Sequence, residues 1–216
     1  MLKAIWKSLS EFLYPTSAQV LKLENLRPDE LLNILPRSTL GERDTLALFS
    51  YQDPLVKEII WEIKYKGNRT LAKSVATLLY DVIMDELQER NVFEKYETVT
   101  LLPMPTSDQR RLERGWNQAE ILTSAVKALD AGGRLQYLPR ELIKVRYTES
   151  QTKTTTKKER LANLQDSMQV QNPAMVSGQF VVLIDDVTTT GATLNEAKRA
   201  LHLAGARSVL CIAVAH

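Results

Sequence analysis

Cysteine is almost absent from this 216-residue sequence, and long hydrophobic runs are absent altogether. The one cysteine, Cys211, cannot form an internal disulfide or a metal cage of several thiolates, which favours a reducing compartment. No apolar run approaches the ~20 residues that span a bilayer. The apolar residues nearest the N-terminus are interrupted by Lys7 and Glu11, unlike the core of a secretory signal. We therefore expect a cytoplasmic protein without a membrane span.

An excess of one charge sign is also lacking. The 28 lysines and arginines nearly balance the 26 acidic residues, for a net charge of +2. No global basic field therefore points to nucleic acid, and such a role would need a local patch. Hydrophobic residues make up 44% and charged residues 25%, as in ordinary globular proteins. The length suits one medium α/β domain, alone or with a small appendage.

Hydrophobic periodicity divides the chain into alternating elements. Helices are predicted at 2–13, 28–35, from Asp53-Pro54 to Gly67, and at 71–88, 113–129, 157–164 and 192–203; strands are predicted at 45–51, 99–102, 142–145, 180–184 and 209–214. From residue 99 onward strands and helices alternate, which favours a parallel sheet with helices on both faces. Ligands of such sheets bind at the carboxyl ends of the strands.

The strongest chemical signal lies at residues 181–194. Four apolar residues are followed by Asp185 and Asp186, then by a turn rich in threonine and glycine, then by a helix. Free N–H groups at a helix N-terminus bind anions, and Gly191 allows a close backbone approach. We therefore expect a phosphate on six residues, namely Thr188, Thr189, Thr190, Gly191, Ala192 and Thr193. The segment lacks the Gly-Lys-Thr/Ser end of a nucleotide-binding P-loop.

Asp185 and Asp186 are acceptors and would repel that phosphate. Their suitable partners are sugar hydroxyls or a Mg²⁺ shell. Phosphate donors beside hydroxyl acceptors describe a site for ribose 5-phosphate. The alternative is that the two acids only cap the following helix.

The segment 181–194 resembles the phosphoribosyl diphosphate (PRPP) signature of type I phosphoribosyltransferases. Three further blocks, at 65–69, 103–120 and 151–163, resemble the ComF family of competence-associated proteins with this fold, and their order in the chain matches. The resemblance covers residue 51 to residue 216. It implies a type I phosphoribosyltransferase fold, which is an α/β fold with a mainly parallel sheet, helices on both faces and a flexible hood loop, here at 147–158.

The resemblance also implies a pyrophosphate loop after the first core strand. The residues that match it are Met104, Pro105, Thr106, Arg110, Arg111 and Arg114. Guanidinium groups suit pyrophosphate oxygens, although these arginines would equally suit a solvated helix face paired with Asp108 and Glu113. Residues 140–160 carry seven basic and three acidic residues, a net +4. This excess suits either a polyanionic ligand or a soluble loop.

One departure from the family concerns zinc. ComF-like proteins usually begin with a paired-cysteine zinc module, whereas Thr16, Ser17 and Ala18 stand in that neighbourhood here and no cysteine precedes Cys211. We predict a helical appendage at 1–44 and a phosphoribosyltransferase-like domain at 45–216. By analogy with the fold, a homodimer is also expected.

The resemblance implies transfer of ribose 5-phosphate from PRPP to a nitrogen nucleophile, with release of pyrophosphate and with Mg²⁺ as cofactor. Asp185 and Asp186 would hold the ribose hydroxyls. Mg²⁺ would be bound mainly through PRPP, with Asp185 and Asp186 as further candidate ligands. The alternative is a non-enzymatic role in DNA uptake beside a helicase on single-stranded DNA.

Four single residues also carry predictions. Trp61 and Cys211 are predicted to lie in the core, and His202 to be an ordinary packed or surface residue. Trp116 is predicted either to line the site or to pack structurally.

Overall fold

Eight strands occur in the computed structural model, which describes residues 17–145 and 166–216. In chain order they are β1 (Gly41–Glu42), β2 (Thr45–Phe49), β3 (Val99–Pro103), β4 (Leu135–Tyr137), β5 (Leu142–Lys144), β6 (Met168–Val170), β7 (Phe180–Val187) and β8 (Ser208–Ala215). Six of them form a central sheet in the order β1-β2-β8-β7-β3-β4, and all neighbours are parallel except the short β1. The expectation of a mainly parallel sheet is confirmed.

The described helices cover both faces of this sheet. They are α1 (Ala18–Asn25), α2 (Pro28–Ile34), α3 (Pro54–Trp61), α4 (Arg69–Glu89), α5 (Asp108–Arg114), α6 (Gln118–Leu129) and α7 (Ala192–Leu203). Strand β7 is buried from Phe180 to Asp186, and its alternate side chains enter two cores. Val182 and Ile184 pack in the core that contains α4 and α6, whereas Val181 and Leu183 pack in the core that contains α7 and the β5–β6 pair.

The segment from Asp53 to Gly67 forms as the sequence predicts, with one addition. Asp53 Oδ1 accepts hydrogen bonds from the N–H groups of Leu55 (2.8 Å) and Val56 (3.1 Å), which caps α3. The helix then widens into a π-helical turn at Glu62–Lys66. Gly67 ends it in the left-handed region, at φ 63°. This turn sets the position of Lys64 and Tyr65 at the candidate site.

The prediction of one helix over 113–129 is wrong. Helix α5 ends at Arg114, and α6 begins only at Gln118. Gly115 adopts φ 84° and donates its N–H to Arg111 O at 2.8 Å, closing α5. Asn117 Oδ1 accepts the N–H of Ala119 at 3.0 Å and caps α6. A C-terminal glycine followed by an N-cap asparagine therefore outweighs the continuous apolar periodicity.

Two further predictions need correction. The strand predicted at 142–145 exists as β5, but it pairs antiparallel with β6 in a separate two-stranded sheet. The central sheet instead takes β4, which sequence analysis did not identify because it has only three residues. Trp61 is not a core residue, since 38% of its surface is exposed. Cys211 is fully buried in β8, as predicted.

Helices α1 and α2 lie within the region predicted to be an appendage. Their buried residues Val20, Leu23 and Leu31 belong to the same hydrophobic core as Phe49 of β2. The boundary at residue 44 stays a prediction. Within the described ranges, no helix is both long enough and apolar enough to cross a bilayer.

Several predictions fall outside the described residues. They are the helix at 2–13, the hood at 147–158, the helix at 157–164, most of the basic region 140–160 and the ComF-like block at 151–163.

Candidate functional site

The acidic pair lies at the carboxyl end of β7. Asp185 and Asp186 are both buried, with 7% and 6% of their surfaces exposed. Asp185 Oδ1 accepts the N–H of Asp186 at 2.8 Å. The Asp186 carboxylate lies close enough to Asp185 to affect the ionisation of the Asp185 carboxyl.

Burial and a neighbouring carboxylate both shift the pKa of Asp185. Burial raises the pKa of the Asp185 carboxyl well above its usual range, and the neighbouring Asp186 carboxylate raises that pKa further, while Lys64 opposes the change. Two adjacent buried carboxyls therefore favour the protonated form of Asp185 more than a solvent-exposed aspartate would. A bound cation or hydroxyl donor would stabilise the ionised form.

Asp186 has a cationic neighbour from the π-helical turn. Lys64 Nζ lies 3.3 Å from Asp186 Oδ2. This oxygen is fully buried and accepts no hydrogen bond from the described residues. The contact is therefore an ion pair without hydrogen-bond geometry, and Asp186 keeps unused capacity to accept a hydrogen bond.

The predicted phosphate loop follows Val187 and leads into α7. Gly191 takes the left-handed conformation at φ 71°, immediately before the first helical residue, Ala192. No side chain in the described part of the chain caps this helix. Its first N–H groups thus resemble those of known anion sites.

The start of this loop is held by β8 and the residue after it. Thr188 is buried, and its N–H donates to Ala215 O at 2.9 Å. The Thr189 carbonyl lies 3.0 Å from His216 Nε2, which makes Nε2 the donor in this contact. Because the Thr188 N–H is already used, the backbone donors left for a phosphate lie at 189–193. The assignment of all six residues to phosphate binding stays a prediction.

The predicted pyrophosphate loop lies at the same edge of the sheet, because β3 pairs in parallel with β7. Met104 N–H donates to Ile184 O at 2.8 Å, and Met104 O accepts from Asn117 Nδ2 at 2.9 Å. Pro105 and Thr106 follow, partly buried. The buried Asn117 therefore fixes the loop, a role that sequence analysis did not assign.

The three predicted arginines differ in their surroundings. Arg111 forms an ion pair with Glu120. Arg114 donates to Gln118 Oε1 at 3.3 Å, and its guanidinium carbon lies 5.0 Å from the centroid of the Tyr65 ring. Arg110 is exposed and forms no ion pair with a described carboxylate. Arg110 is therefore the arginine most available to a ligand.

Lys144 is a cation to which sequence analysis gave no individual role. It ends β5, and burial lowers the pKa of its ammonium, with a further lowering from the nearby Arg110 and an opposing effect from Asp185. Lys144 is therefore near enough to Arg110 and Asp185 for their charges to affect its ionisation. Its only sequence signal was membership of the basic region 140–160.

Trp116 links two of the ComF-like blocks. A Cβ on Gly67 would lie 3.1 Å from Trp116 Cε2 and Cζ2, so the indole packs directly on the Gly67 backbone. Trp116 Nε1 is buried without a hydrogen-bond partner among the described residues. Together with the Tyr65–Arg114 contact, this packing joins the blocks 65–69 and 103–120. His202 lies exposed on α7.

Metal-binding groups are sparse. Among residues 17–145 and 166–216, no cluster of three or more histidine, cysteine, aspartate or glutamate side chains is arranged to hold a metal ion. A divalent cation at this site would have to take most of its ligands from a bound substrate.

Comparison with known proteins gives a consistent picture. A family model described as "Phosphoribosyl transferase domain" matches residues 121–216, which include Asp185, Asp186 and the phosphate loop. Competence protein F of Haemophilus influenzae is 27% identical over 74% of this chain and 66% of its own length. Competence protein ComFC of Streptococcus pneumoniae is 29% identical over 76% and 64%, respectively. The DNA utilization protein YhgH of Escherichia coli K12 is 25% identical over 72% and 65%.

Each alignment spans less than two thirds of the relative's own length. Among solved structures, the hypoxanthine phosphoribosyltransferase of Trypanosoma cruzi aligns with a TM-score of 0.42, at 12% identity, over 67% of this chain and 64% of that one.

Proposed function

Because this chain belongs to the ComF family of the phosphoribosyltransferase superfamily, we propose that it binds PRPP and transfers ribose 5-phosphate to a nitrogen nucleophile, releasing pyrophosphate. The phosphate loop at 188–193 would bind the 5′-phosphate. Asp185 and Asp186 would accept hydrogen bonds from the ribose hydroxyls. The loop at 104–106, with Arg110, would bind the pyrophosphate.

One observation carries this proposal. Two buried carboxylates, an uncapped helix N-terminus and the loop that leads to the arginines of α5 lie at the carboxyl ends of two adjacent parallel strands. Ligands of parallel α/β sheets bind at this edge. In PRPP the ribose hydroxyls lie between the 5′-phosphate and the pyrophosphate. The predicted donors for these two groups likewise lie on either side of the two carboxylates.

The reaction would be driven by electrostatic stabilisation of the leaving group. The bond between the anomeric carbon and the pyrophosphate oxygen breaks, and its electron pair leaves with pyrophosphate. A nitrogen lone pair forms the new bond to that carbon, and the proton on the nitrogen is released to water or to the leaving group. Arg110 would offset the charge that develops on pyrophosphate, while Arg111 and Arg114 would have to exchange their present partners to help. No covalent residue is needed.

Mg²⁺ fits the donor set as a cation shared with the substrate. The Asp186 Oδ2 is buried and accepts no hydrogen bond from the described residues, and ionisation of Asp185 would be favoured by a nearby cation. A bound Mg²⁺ would supply charge neutralisation for pyrophosphate. The protein's part is to hold the two carboxylates in place.

Calorimetric titration with PRPP, with and without Mg²⁺, tests the proposal. We expect Mg²⁺-dependent binding to the wild type and its loss in the double variant Asp185→Asn/Asp186→Asn. The matched control is Asp81→Asn, since Asp81 is exposed on α4. Absence of binding to a folded wild type would exclude the transferase. If PRPP binds, production of pyrophosphate with ammonia or free nucleobases then identifies the acceptor.

A second candidate function is suggested by the names of the relatives. Two of them are competence proteins and one is a DNA utilization protein. We therefore propose, as the alternative, a non-enzymatic role in DNA uptake beside a helicase, with single-stranded DNA as the ligand. Binding to phosphates weakens steeply with salt, so a salt titration of oligonucleotide binding tests this role.

A cytoplasmic location and a homodimer stay predictions. Cell fractionation would test the location, and light scattering would test the homodimer.

A further inference from the structure

A cavity of about 480 Å³ opens at the amino-terminal edge of the central sheet. Its floor is formed by the first residues of β7 and β8, and its walls include Arg43, Lys95, Tyr96, Phe180, Lys198 and Arg207. Sequence analysis assigned no role to any of these residues. The volume lies in the range of small-molecule sites, which run from roughly 300 to 1,000 Å³.

The charge of this cavity is strongly one-sided. Its single acidic lining residue, Asp44, is paired with Arg90 at 3.0 Å, and Arg90 also pairs with Glu86. The other four cations, Arg43, Lys95, Lys198 and Arg207, form no ion pair with a carboxylate in the described part of the chain. Lys198 Nζ instead donates to the hydroxyl of Thr45 at 2.7 Å. The lining of the cavity therefore keeps four positive charges that no carboxylate in the described part of the chain neutralises.

One wall of the cavity is aromatic. Tyr96 is partly exposed at this wall, and the buried Phe180 supports its ring edge to face, with ring centroids 6.0 Å apart. Cations beside a rigid aromatic surface suit a ligand that carries phosphate at one end and a planar ring at the other.

The cavity is remote from the acidic pair. Phe180 begins β7 and Asp185 lies five residues along the same strand, and the phosphate loop lies beyond its end. At about 3.3 Å per residue, the cavity and the phosphate loop are on the order of 20 Å or more apart. A single PRPP molecule cannot reach both. The cations here therefore need an explanation other than the transfer site.

We infer that this cavity is a second anion site, which binds the phosphate groups of a nucleotide while the partly exposed Tyr96 contacts its base or sugar. Arg207 and Lys95 lie exposed at the rim and meet the phosphates. Lys198 lies deeper, where its bond to Thr45 fixes its position. The recognised chemistry is a phosphate-bearing nucleotide, free in solution or as part of a single strand.

Titration of the full chain with ADP, and separately with a short oligothymidylate, tests the inference. The decisive variant is Lys95→Glu/Arg207→Glu, and its control is Lys22→Glu/Lys73→Glu, which places the same charge change on exposed residues of α1 and α4. We expect ADP binding to weaken about tenfold or more in the double variant, since charge-assisted contacts are lost, and to be unchanged in the control. Binding of the oligonucleotide without ADP binding would assign the phosphates to a single strand.

The same titrations on Asp185→Asn/Asp186→Asn separate this site from the transfer site. We expect nucleotide binding to persist there even though PRPP binding is lost. Nucleotide binding that disappears in the aspartate variant and survives in Lys95→Glu/Arg207→Glu would overturn the inference, and so would failure of both probes to bind the wild type. Neither result depends on whether PRPP is turned over.

Discussion

Lys64 Nζ lies 3.3 Å from Asp186 Oδ2 and thereby ties the π-helical turn at Glu62–Lys66 to the carboxyl end of β7. Asp186 is buried, and Lys64 is the only cation within ion-pair distance of it among the described residues. Removing one partner of such a pair leaves an uncompensated charge in the protein interior. Lys64 is therefore as much a part of the site as the acids that the sequence displays.

We expect Lys64→Met to lower the free energy of unfolding by about 1–3 kcal/mol, because it strands the Asp186 carboxylate. Adding Asp186→Asn should restore much of this loss. Urea unfolding of wild type, both single variants and the double variant completes the double-mutant cycle. Additive effects of the two substitutions would show that the pair is not coupled.

The raised pKa of Asp185 predicts a pH-dependent stability. The folded protein keeps a proton that the unfolded chain releases, so this contribution to stability is complete below the unfolded pKa and is lost as pH rises through the folded pKa. We expect Asp185→Asn to raise Tm, by about 2–4 °C for each kcal/mol of destabilisation removed, and more at pH 8 than at pH 5. Calorimetry at both pH values measures it, with Asp81→Asn as the control. An equal shift at both pH values would contradict the assignment.

The acidic pair and the phosphate loop could be located from sequence because their signals are local. Residues 180–194 contain the apolar strand, the acids, the turn and the helix start in one continuous run, and α7 begins and ends where the periodicity predicts. The break at Gly115 and Asn117 was also local, and attention to the two capping residues would have found it.

Lys64, Lys144 and Asn117 could not be assigned in this way, because each acts through residues distant in sequence. Lys64 reaches Asp186 across more than a hundred residues, and Asn117 holds the Met104 carbonyl from the start of another helix. Lys144 comes under the electrostatic influence of Asp185 only through the fold, since β5 pairs with β6 outside the central sheet. Hydrophobic periodicity carries no information about contacts between residues that are distant in sequence.

The contact between Gly67 and Trp116 predicts a packing contribution to stability that can be separated from backbone strain. We expect Gly67→Ala to destabilise the protein by about 1–3 kcal/mol, because its Cβ would lie 3.1 Å from the indole and because its φ is 63°. Gly133→Ala is the matched control, since φ is 67° there and no atom lies within 4 Å of the added Cβ. Chemical unfolding should show the larger loss for Gly67→Ala. Adding Trp116→Leu to Gly67→Ala should remove the extra loss of stability, because the indole is no longer present. Equal losses for Gly67→Ala and Gly133→Ala would rule out the packing contribution.

Gly191 offers the most direct test of the phosphate loop, because the substitution changes conformation without filling space. An added Cβ would have only Asn195 Nδ2 nearby, at 3.9 Å, but φ is 71°. We expect Gly191→Ala to cost about 1 kcal/mol of stability and to weaken PRPP binding about tenfold or more, since it shifts the N–H groups before α7. Gly191→Asn should regain part of both, because asparagine tolerates the left-handed region. Gly41→Ala, with no atom within 4 Å of the added Cβ, should leave binding unchanged. Calorimetry on the three variants measures both quantities, and undiminished PRPP affinity in Gly191→Ala would place the phosphate elsewhere.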